Sequence, residues 1–475
     1  MISERRQRTI YILTDYISTN IAFLLFNIIR YLLLPSAHLG FGSLMSFLAS
    51  PAVLAGQILF PVCMMGIYYL SGYYSTVFVK SRVQEMSTTL CTAFIGSLFT
   101  FLVILVNDLT HDRAQDYSII VILLALLFFV VYIPRLIITW HTTDKIVRGE
   151  IFFNTLIVGY SSIPQLFPRQ LQSMSPVTGI KIVGLIDSEN KSRYCISGTD
   201  LPITDISEVR DYCRDNDIKR IIIIPHPQGW ERTLAAINPL FSLDLPLFVA
   251  ADRLPAFMFK TKMLSITAEP FIDITRTHLS PSTINIKRAC DVVISAIMLT
   301  IAAVPLLICA LAIRLDSKGP VLYRQRRIGL HRKPFTIYKL RTMYHNAESS
   351  GRPELSHPYD SRVTKVGTFL RKYRLDEMPQ FFNVLRGDMS LVGPRPERMH
   401  FIEQILEREP SYALIHRVRP GITSLGMVKY GYATNVDQMV ERMRYDLLYL
   451  HNISIITDIK ILLYTAHTVL SGKGI

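Results

Sequence analysis

The chain has 475 residues, a formal charge of +14 and a mean hydropathy of +0.29, with half of its residues apolar. That balance excludes an ordinary soluble single-domain protein and leaves room for a membrane module plus two further domains. The six cysteines, at 63, 91, 195, 213, 290 and 309, form no Cys-x-x-Cys pair, so neither a disulfide framework nor a zinc site is indicated.

Four apolar stretches fill the first third, at 10–34, 44–70, 86–106 and 117–140. Each approaches or exceeds the roughly 20 residues that a helix needs to cross a bilayer. Arg5, Arg6 and Arg8 precede the first, Lys80 and Arg82 follow the second, and Arg135, Lys145 and Arg148 attend the end of the fourth. The turns at 38–42 and 107–116 carry only Arg113, so the positive-inside tendency puts both ends of the module (residues 1–145) in the cytoplasm. The first run lacks a small-residue cleavage site and is expected to be a retained span.

From about residue 151 short apolar runs alternate with helix-compatible segments. Strands are expected at 153–159, 180–187, 220–225 and 245–250, and helices near 164–174, 206–215 and 231–239. That alternation predicts a parallel α/β domain over 146–278. Its first turn, Gly159-Tyr160-Ser161-Ser162, lacks the Gly-x-Gly-x-x-Gly fingerprint, which argues against dinucleotide binding and for a regulatory or structural role.

A fifth apolar run, 289–313, is bracketed by Lys287 and Arg288 on one side and Arg314, Lys318, Arg324, Arg326 and Arg327 on the other. A crossing would export the most basic part of the chain, and Pro305 is placed to kink or break a helix. The expectation is a re-entrant helix that enters and leaves on the cytoplasmic face; an ordinary fifth span is the alternative. From residue 281 onward the chain holds 28 Lys+Arg against 16 Asp+Glu, so +12 of the +14 lies there. Such a surface suits anionic lipid, nucleic acid or phosphorylated substrates, and the membrane context selects lipid and phosphate over nucleic acid.

Short motifs crowd the region 287–423. They are Lys287-Arg288, Gly319-Pro320, Gln325-Arg326-Arg327-Ile328-Gly329, Tyr338-Lys339-Leu340-Arg341-Thr342-Met343, Asp360-Ser361-Arg362-Val363-Thr364 and Arg371. Leu375-Asp376-Glu377-Met378-Pro379-Gln380, the run from Asn383 to Pro396 and Pro420-Gly421-Ile422-Thr423 follow. Phosphoryl transfer needs mainly positioning and charge neutralisation, which clustered Arg and Lys supply. A carboxylate can act as nucleophile and split one transfer between two anions into two steps, and Asp376 is the candidate. An isolated Asp-Glu pair is usually a solvated helix surface, but Arg371, Lys372 and Arg374 stand within five residues upstream of this one.

Over about its last 190 residues the chain resembles the monotopic polyprenyl-phosphate sugar-1-phosphate transferases, the bacterial sugar transferase family. The four spans and the α/β domain resemble the long members that begin exopolysaccharide, capsule or O-antigen synthesis, whose middle domain is Rossmann-like. The resemblance implies a multi-domain membrane protein of the bacterial inner membrane, with an α/β monotopic catalytic domain over 279–475 on the cytoplasmic face. It implies transfer of a hexose-1-phosphate from a UDP-sugar to undecaprenyl phosphate through a phosphorylated Asp376, with Glu377 binding Mg2+. Arg371 matches a position thought to hold the lipid phosphate; a surface ion pair is its plainer reading. Strand periodicity puts Lys339 and Arg341 on one face as phosphate ligands, or simply as an exposed polar face. Arg327, Arg362 and Arg395 are similar candidates, and Gln380 is a candidate hydrogen-bond donor near the site. Gly393-Pro394-Arg395-Pro396 reads as a rigid turn that, by resemblance, shapes the nucleotide pocket.

One departure stands out: Ser424 to Gly431 replaces the family's usual Gly and Trp-containing stretch, leaving the sugar's identity open. Residues 443–470 are expected to form helices resting on the membrane surface or packing on the core. A non-catalytic scaffold of polysaccharide assembly and a lipid-phosphate hydrolase are the competing functions. A nucleotide-sugar dehydratase is disfavoured because the fingerprint and a Tyr-x-x-x-Lys pair are missing. The oligomeric state is left open, a homodimer included.

Overall fold

A computed structural model describes residues 4–33, 41–107 (except 76, 79 and 81), 113–159, 179–187, 203–204, 209–225, 233, 238–250 (except 244), 271–273 and 279–471 (except 346 and 348–359). The described residues fall into two compact units. One takes the described residues of Met1–Phe152, Met174–Gly179 and Ser280–Ile286, the other those of Phe153–Ser173, Ile180–Leu279 and Lys287–Ile475.

The first unit is built on α1 (Glu4–Leu33), α2 (Pro51–Leu70), α3 (Arg82–Asn107) and α4 (Arg113–Val147). The expected 44–70 run is divided. A short turn, Leu44–Leu48, is closed by a Ser43–Ser46 capping box, and α2 then starts afresh at Pro51, whose missing N–H is harmless in a first turn. The helices pack α1 on α2 and α4, and α3 on α4. Their shared core includes Phe23, Phe26, Met64, Leu123 and Leu127, with Phe23 stacked on Phe60 at 4.4 Å. A Cβ at Gly96 would meet the sulfur and methyl of Met64, so the glycine makes room for that side chain between the helices.

The interior of this unit also holds charge. Arg135 donates to both oxygens of Asp15, at 2.7 and 2.8 Å, and to Thr89 at 2.9 Å. Both side chains of the pair are fully buried. Tyr74 donates to Asp15 at 2.7 Å, while Tyr73 and Thr139 donate to Glu85 at 2.5 and 2.9 Å. Arg135 is therefore no flanking charge in contact with water, as its sequence position implied, but a packing partner inside the helices. Removing one member of such a pair costs about 3–5 kcal/mol because the other is left charged and dry.

In the second unit a six-stranded sheet runs in the order β3-β2-β1-β4-β5-β6. Its strands are β1 (Phe153–Gly159), β2 (Ile180–Asp187), β3 (Ile203–Thr204), β4 (Arg220–Ile223), β5 (Leu247–Ala250) and β6 (Phe271–Asp273). The first five are parallel and β6 closes the edge antiparallel. This is the doubly wound strand order. Leu156, Val158, Ile221, Ile223, Leu247 and Val249 form its core together with Ala413 from the C-terminal region. Helix α5 (Val209–Asp215) realises the one expected at 206–215. The helix expected at 164–174 lies outside the described residues, as does most of 231–239.

Helix α6 (Pro281–Asp316) is longer than expected and continues through Pro305, so the proline does not break it. Near its start Lys287 donates to the Val392 carbonyl at 3.0 Å, and Arg288 donates to the Val384 and Leu385 carbonyls at 2.6 and 2.9 Å. Asp291 accepts from Ser390 Oγ and the Leu391 amide, at 2.7 and 3.1 Å. At its far end, Arg341 binds the carbonyls of Ile313, Ser317 and Lys318 at 3.3, 2.6 and 3.1 Å. Between these anchors Ile297, Ile301, Val304, Leu307 and Leu311 are exposed. By length and composition, α1 to α4 and α6 are each able to cross a membrane.

The remaining elements frame the candidate site. They are β7 (Leu322–Ile328) paired with β8 (Pro334–Leu340), α7 (Lys365–Lys372), α8 (Gln380–Arg386), β9 (Ser390–Val392), α9 (Met399–Arg408) and β10 (Gly421–Thr423). Helices α10 (Leu425–Lys429), α11 (Val436–His451) and α12 (Ile455–Leu470) follow. The helices expected in 443–470 are thus present, and Ile456, Leu463 and Tyr464 leave an apolar stripe exposed on α12.

Candidate active site

The acidic pair sits on a single turn, Leu375–Glu377, between two short helices. Thr364 caps the N-terminus of α7 by accepting from the Gly367 amide at 3.0 Å. Gly367 lets α7 approach the backbone at Thr342, whose carbonyl would meet any Cβ there. At the end of α7, Arg374 takes a left-handed conformation (φ 52°), which reverses the chain into the turn. A non-glycine residue held in this region stores about 1–3 kcal/mol and marks a position fixed by its surroundings. Pro379 then stiffens the entry to α8, and Gly387 (φ 98°) ends it.

Helix α8 is locked to β8 by Asn383, which is fully buried. Its Nδ2 donates to the Thr336 carbonyl at 2.7 Å, and its Oδ1 accepts from the Tyr338 amide at 3.1 Å. That clamp aligns Lys339 with the pair. Lys339 Nζ donates to Glu377 Oε1 at 2.8 Å. Arg395 and Arg374 each stand 3.7 Å from a Glu377 oxygen. Glu377 is thus held by three cations.

Asp376 differs. It is buried, and among the described residues no hydrogen bond or ion pair reaches its carboxylate. Burial pushes its pKa above the ordinary carboxylate range; Lys339 pulls the other way, the Glu377 charge adds to the rise, and Arg371 and Arg374 oppose it. For Glu377 burial also disfavours the charge, but Lys339, Arg395 and Arg374 hold its carboxyl well below the usual range. Two buried donors beside the pair, Arg374 Nε and Gln380 Nε2, have no acceptor among the described residues. Buried donors are almost always satisfied, so these two are open to water or to a bound acceptor.

Of the residues singled out by sequence, the structure brings together Asp376, Glu377, Lys339 and Arg395, with Gln380 at the start of α8 and Arg371 within electrostatic reach of Asp376. Arg371 Nε donates to Thr342 Oγ1 at 2.9 Å. Three others are engaged elsewhere. Arg341 does not share a strand face with Lys339: β8 ends at Leu340, and Arg341 turns to cap the C-terminal end of α6. Arg327 binds Gln325, the Pro396 carbonyl and Glu397 at 2.9, 3.1 and 3.1 Å, bracing the turn that carries Arg395. Arg442 donates to the other Glu397 oxygen at 2.6 Å. Arg362 grips Asp360 through both oxygens, at 2.8 and 2.7 Å.

Arg374 belongs to the cation cluster read upstream of the pair, and the structure turns its guanidinium toward Glu377. Tyr432, whose ring lies 5.3 and 5.4 Å from the Arg374 and Arg395 guanidinium carbons, is not among the residues read from sequence. Tyr432 comes from more than 50 residues downstream, and no local signal in the sequence marks it.

Comparison with known proteins places this geometry in a family. Residues 282–472 match the family described as bacterial sugar transferase. An Aeromonas hydrophila protein named UDP-N-acetylgalactosamine-undecaprenyl-phosphate N-acetylgalactosaminephosphotransferase is 38% identical over 251 residues, 52% of this chain and 56% of that one. A Klebsiella pneumoniae protein named UDP-glucose:undecaprenyl-phosphate glucose-1-phosphate transferase is 32% identical over 320 residues, 67% of each chain. A Caulobacter vibrioides protein of the same name is 44% identical over 187 residues, 39% of this chain and 70% of its own. The chain belongs to the bacterial sugar transferase family. Its matches span little more than half of the Aeromonas relative and two thirds of the Klebsiella one.

Proposed function

We propose that the protein transfers a hexose-1-phosphate from a UDP-sugar to undecaprenyl phosphate through a covalent aspartyl-phosphosugar intermediate, the first membrane step of exopolysaccharide, capsule or O-antigen synthesis. The observation that carries this reading is the split within the acidic pair. Glu377 is fixed by three cations, whereas Asp376 is buried, open and flanked by donors that lack acceptors.

In the first step an Asp376 carboxylate oxygen bonds to the sugar-bearing phosphorus, and the bond from that phosphorus to the bridging oxygen breaks. UMP leaves with the electron pair. In the second step an oxygen of undecaprenyl phosphate bonds to the same phosphorus and the acyl-phosphate bond breaks, restoring the carboxylate and giving undecaprenyl-diphospho-sugar. Lys339, Arg371, Arg374 and Arg395 offset the charge that gathers on the phosphoryl oxygens, and Gln380 Nε2 offers a further donor.

Among the described residues no cluster of three or more His, Cys, Asp or Glu is placed to hold a metal. Two adjacent carboxylates still fit Mg2+, which binds through one or two carboxylates plus substrate phosphates and water. Glu377 would hold the ion beside Asp376. Bound there, Mg2+ supplies neutralisation of the diphosphate so that the carboxylate is less strongly repelled.

The membrane arrangement follows the same reading. Helix α6 is tied at residues 287–291 and again at 313–318 to one folded unit, through β9, α8 and Arg341. Attachment to that unit on either side of 292–312 supports a re-entrant helix whose exposed apolar middle is in lipid. Arg5, Arg6 and Arg8 in the first turns of α1, with Lys145 and Arg148 at the end of α4, support a four-helix module with both ends in the cytoplasm. The catalytic unit then lies on the inner face of the cytoplasmic membrane, where the lipid phosphate is available.

Purified protein incubated with Mg2+, undecaprenyl phosphate and a panel of UDP-sugars is expected to release UMP and form the lipid-linked product with at least one donor. Release of free sugar phosphate without lipid product would instead make it a hydrolase. Neither product would leave only the scaffold reading.

A further inference from the structure

Tyr432 is presented to the catalytic cluster by a segment whose other side chains are fastened elsewhere. Tyr430 donates to Glu441 Oε2 at 2.7 Å, and Ala433 is buried in the core with Phe401, Met439 and Met443. Thr434 donates through both its amide and hydroxyl to Gln438 Oε1, at 2.8 Å each, and Asn435 caps α11 by accepting from the Gln438 amide at 2.8 Å. Gly431, at φ 90°, makes the reversal between Tyr430 and Tyr432, a conformation in which other residues are strained.

The side chain delivered this way is 40% exposed, and its ring lies 5.3 Å from the Arg374 guanidinium carbon and 5.4 Å from that of Arg395. These are the same two arginines that face Glu377. Among the described residues the Tyr432 hydroxyl has no hydrogen-bond partner. A phenol set against a cationic phosphate site, with an unpartnered hydroxyl and an open edge, is equipped to contact something attached to that phosphate.

In-line displacement limits what that group is. The attacking oxygen and the leaving oxygen are on opposite sides of the phosphorus, so UMP departs on the side away from Asp376. The sugar oxygen is equatorial, nearer the cations that flank the attacking carboxylate. Resting on the transfer reaction proposed above, we infer that Tyr432 recognises the hexosyl group of the donor and sets which UDP-sugar is accepted. Its hydroxyl hydrogen-bonds a sugar hydroxyl, and its ring backs the sugar's apolar face.

The test is steady-state kinetics of the full-length protein and its Tyr432→Phe and Tyr432→Leu variants on several UDP-sugars, with undecaprenyl phosphate varied independently and UMP as inhibitor. Tyr432→Phe keeps the ring against both arginines and so keeps the fold. The inference predicts a rise of about tenfold in KM for the preferred donor and a changed ranking among UDP-sugars, because a site that hydrogen-bonds a substrate hydroxyl discriminates through it. The KM for undecaprenyl phosphate, kcat and the inhibition by UMP change less than about threefold, the pattern of a lost binding contact. Equal losses for every donor, a fall in kcat with KM intact, or a parallel weakening of UMP inhibition would each overturn it. Unchanged donor KM in an active protein overturns this inference alone. A wild-type protein that transfers from no UDP-sugar overturns the underlying reaction as well.

Discussion

Asp15 in α1 and Asp376 between α7 and α8 are both buried aspartates near arginines, yet their surroundings treat them in opposite ways. Asp15 receives two guanidinium hydrogen bonds from Arg135 and a third from Tyr74, so its charge is fully engaged. Asp376 receives none among the described residues, while its neighbour Glu377 takes the nearby cations. A carboxylate whose two oxygens are both pinned by a guanidinium can hold helices together but is poorly placed to attack anything. One left open beside cations that face a neighbour is placed to bond to phosphorus. The difference lies in which oxygen the cations reach, not in burial or in the number of charges.

Substitutions can break each half of this contrast. The largest effect is expected for Asp376→Asn, which removes the proposed nucleophile and leaves the shape. Transfer should fall on the order of 10⁴-fold or more, measured as UMP release, with thermal stability kept or raised because a buried charge has gone. Asp15→Ala should do the reverse. Leaving Arg135 dry and unpaired should cost about 3–5 kcal/mol, read as a lowered unfolding midpoint in detergent, whereas replacing both Asp15 and Arg135 with apolar residues should recover much of it. If the double variant is as unstable as the single, the pair is more than a packing device.

Lys339→Met comes next. It withdraws the closest cation from Glu377 and should lower kcat by about 10²–10³-fold, the scale seen when one preorganised charge-stabilising donor is lost. The smallest expected effect is on pH dependence. A carboxylate nucleophile must be ionised, so under the proposed reaction the rate of adduct formation rises with pH through the Asp376 pKa. Burial raises that pKa, which puts the acid limb above the ordinary carboxylate range. Because Lys339 lowers it, Lys339→Met should move the limb to still higher pH. A limb that stays in place in Lys339→Met would contradict the contact between this lysine and the acidic pair described here.

Parts of this were readable from sequence for physical reasons. Strands β1 and β2 match their expected ranges because continuous apolar runs bounded by polar segments identify buried parallel strands. Strands β3 and β6 have two and three residues, too few to carry any periodicity. The acidic pair was legible through its crowd of cations. Arg341 misled because alternation holds only while a strand lasts, and β8 stops one residue earlier. Arg135 read as a flanking charge because its partner, Asp15, is 120 residues away. Tyr432 was invisible for the same reason: long-range pairing leaves no local mark.

The central claim is that Asp376 itself forms a bond to the transferred phosphate. Incubating the protein with a UDP-sugar in the absence of undecaprenyl phosphate, followed by rapid denaturation and peptide mass analysis, tests it directly. The account predicts a phosphosugar mass on the peptide that contains Asp376, lost when undecaprenyl phosphate is added before quenching and never formed in Asp376→Asn. Undiminished adduct in that variant, or full transfer with no adduct on any carboxylate, would contradict it.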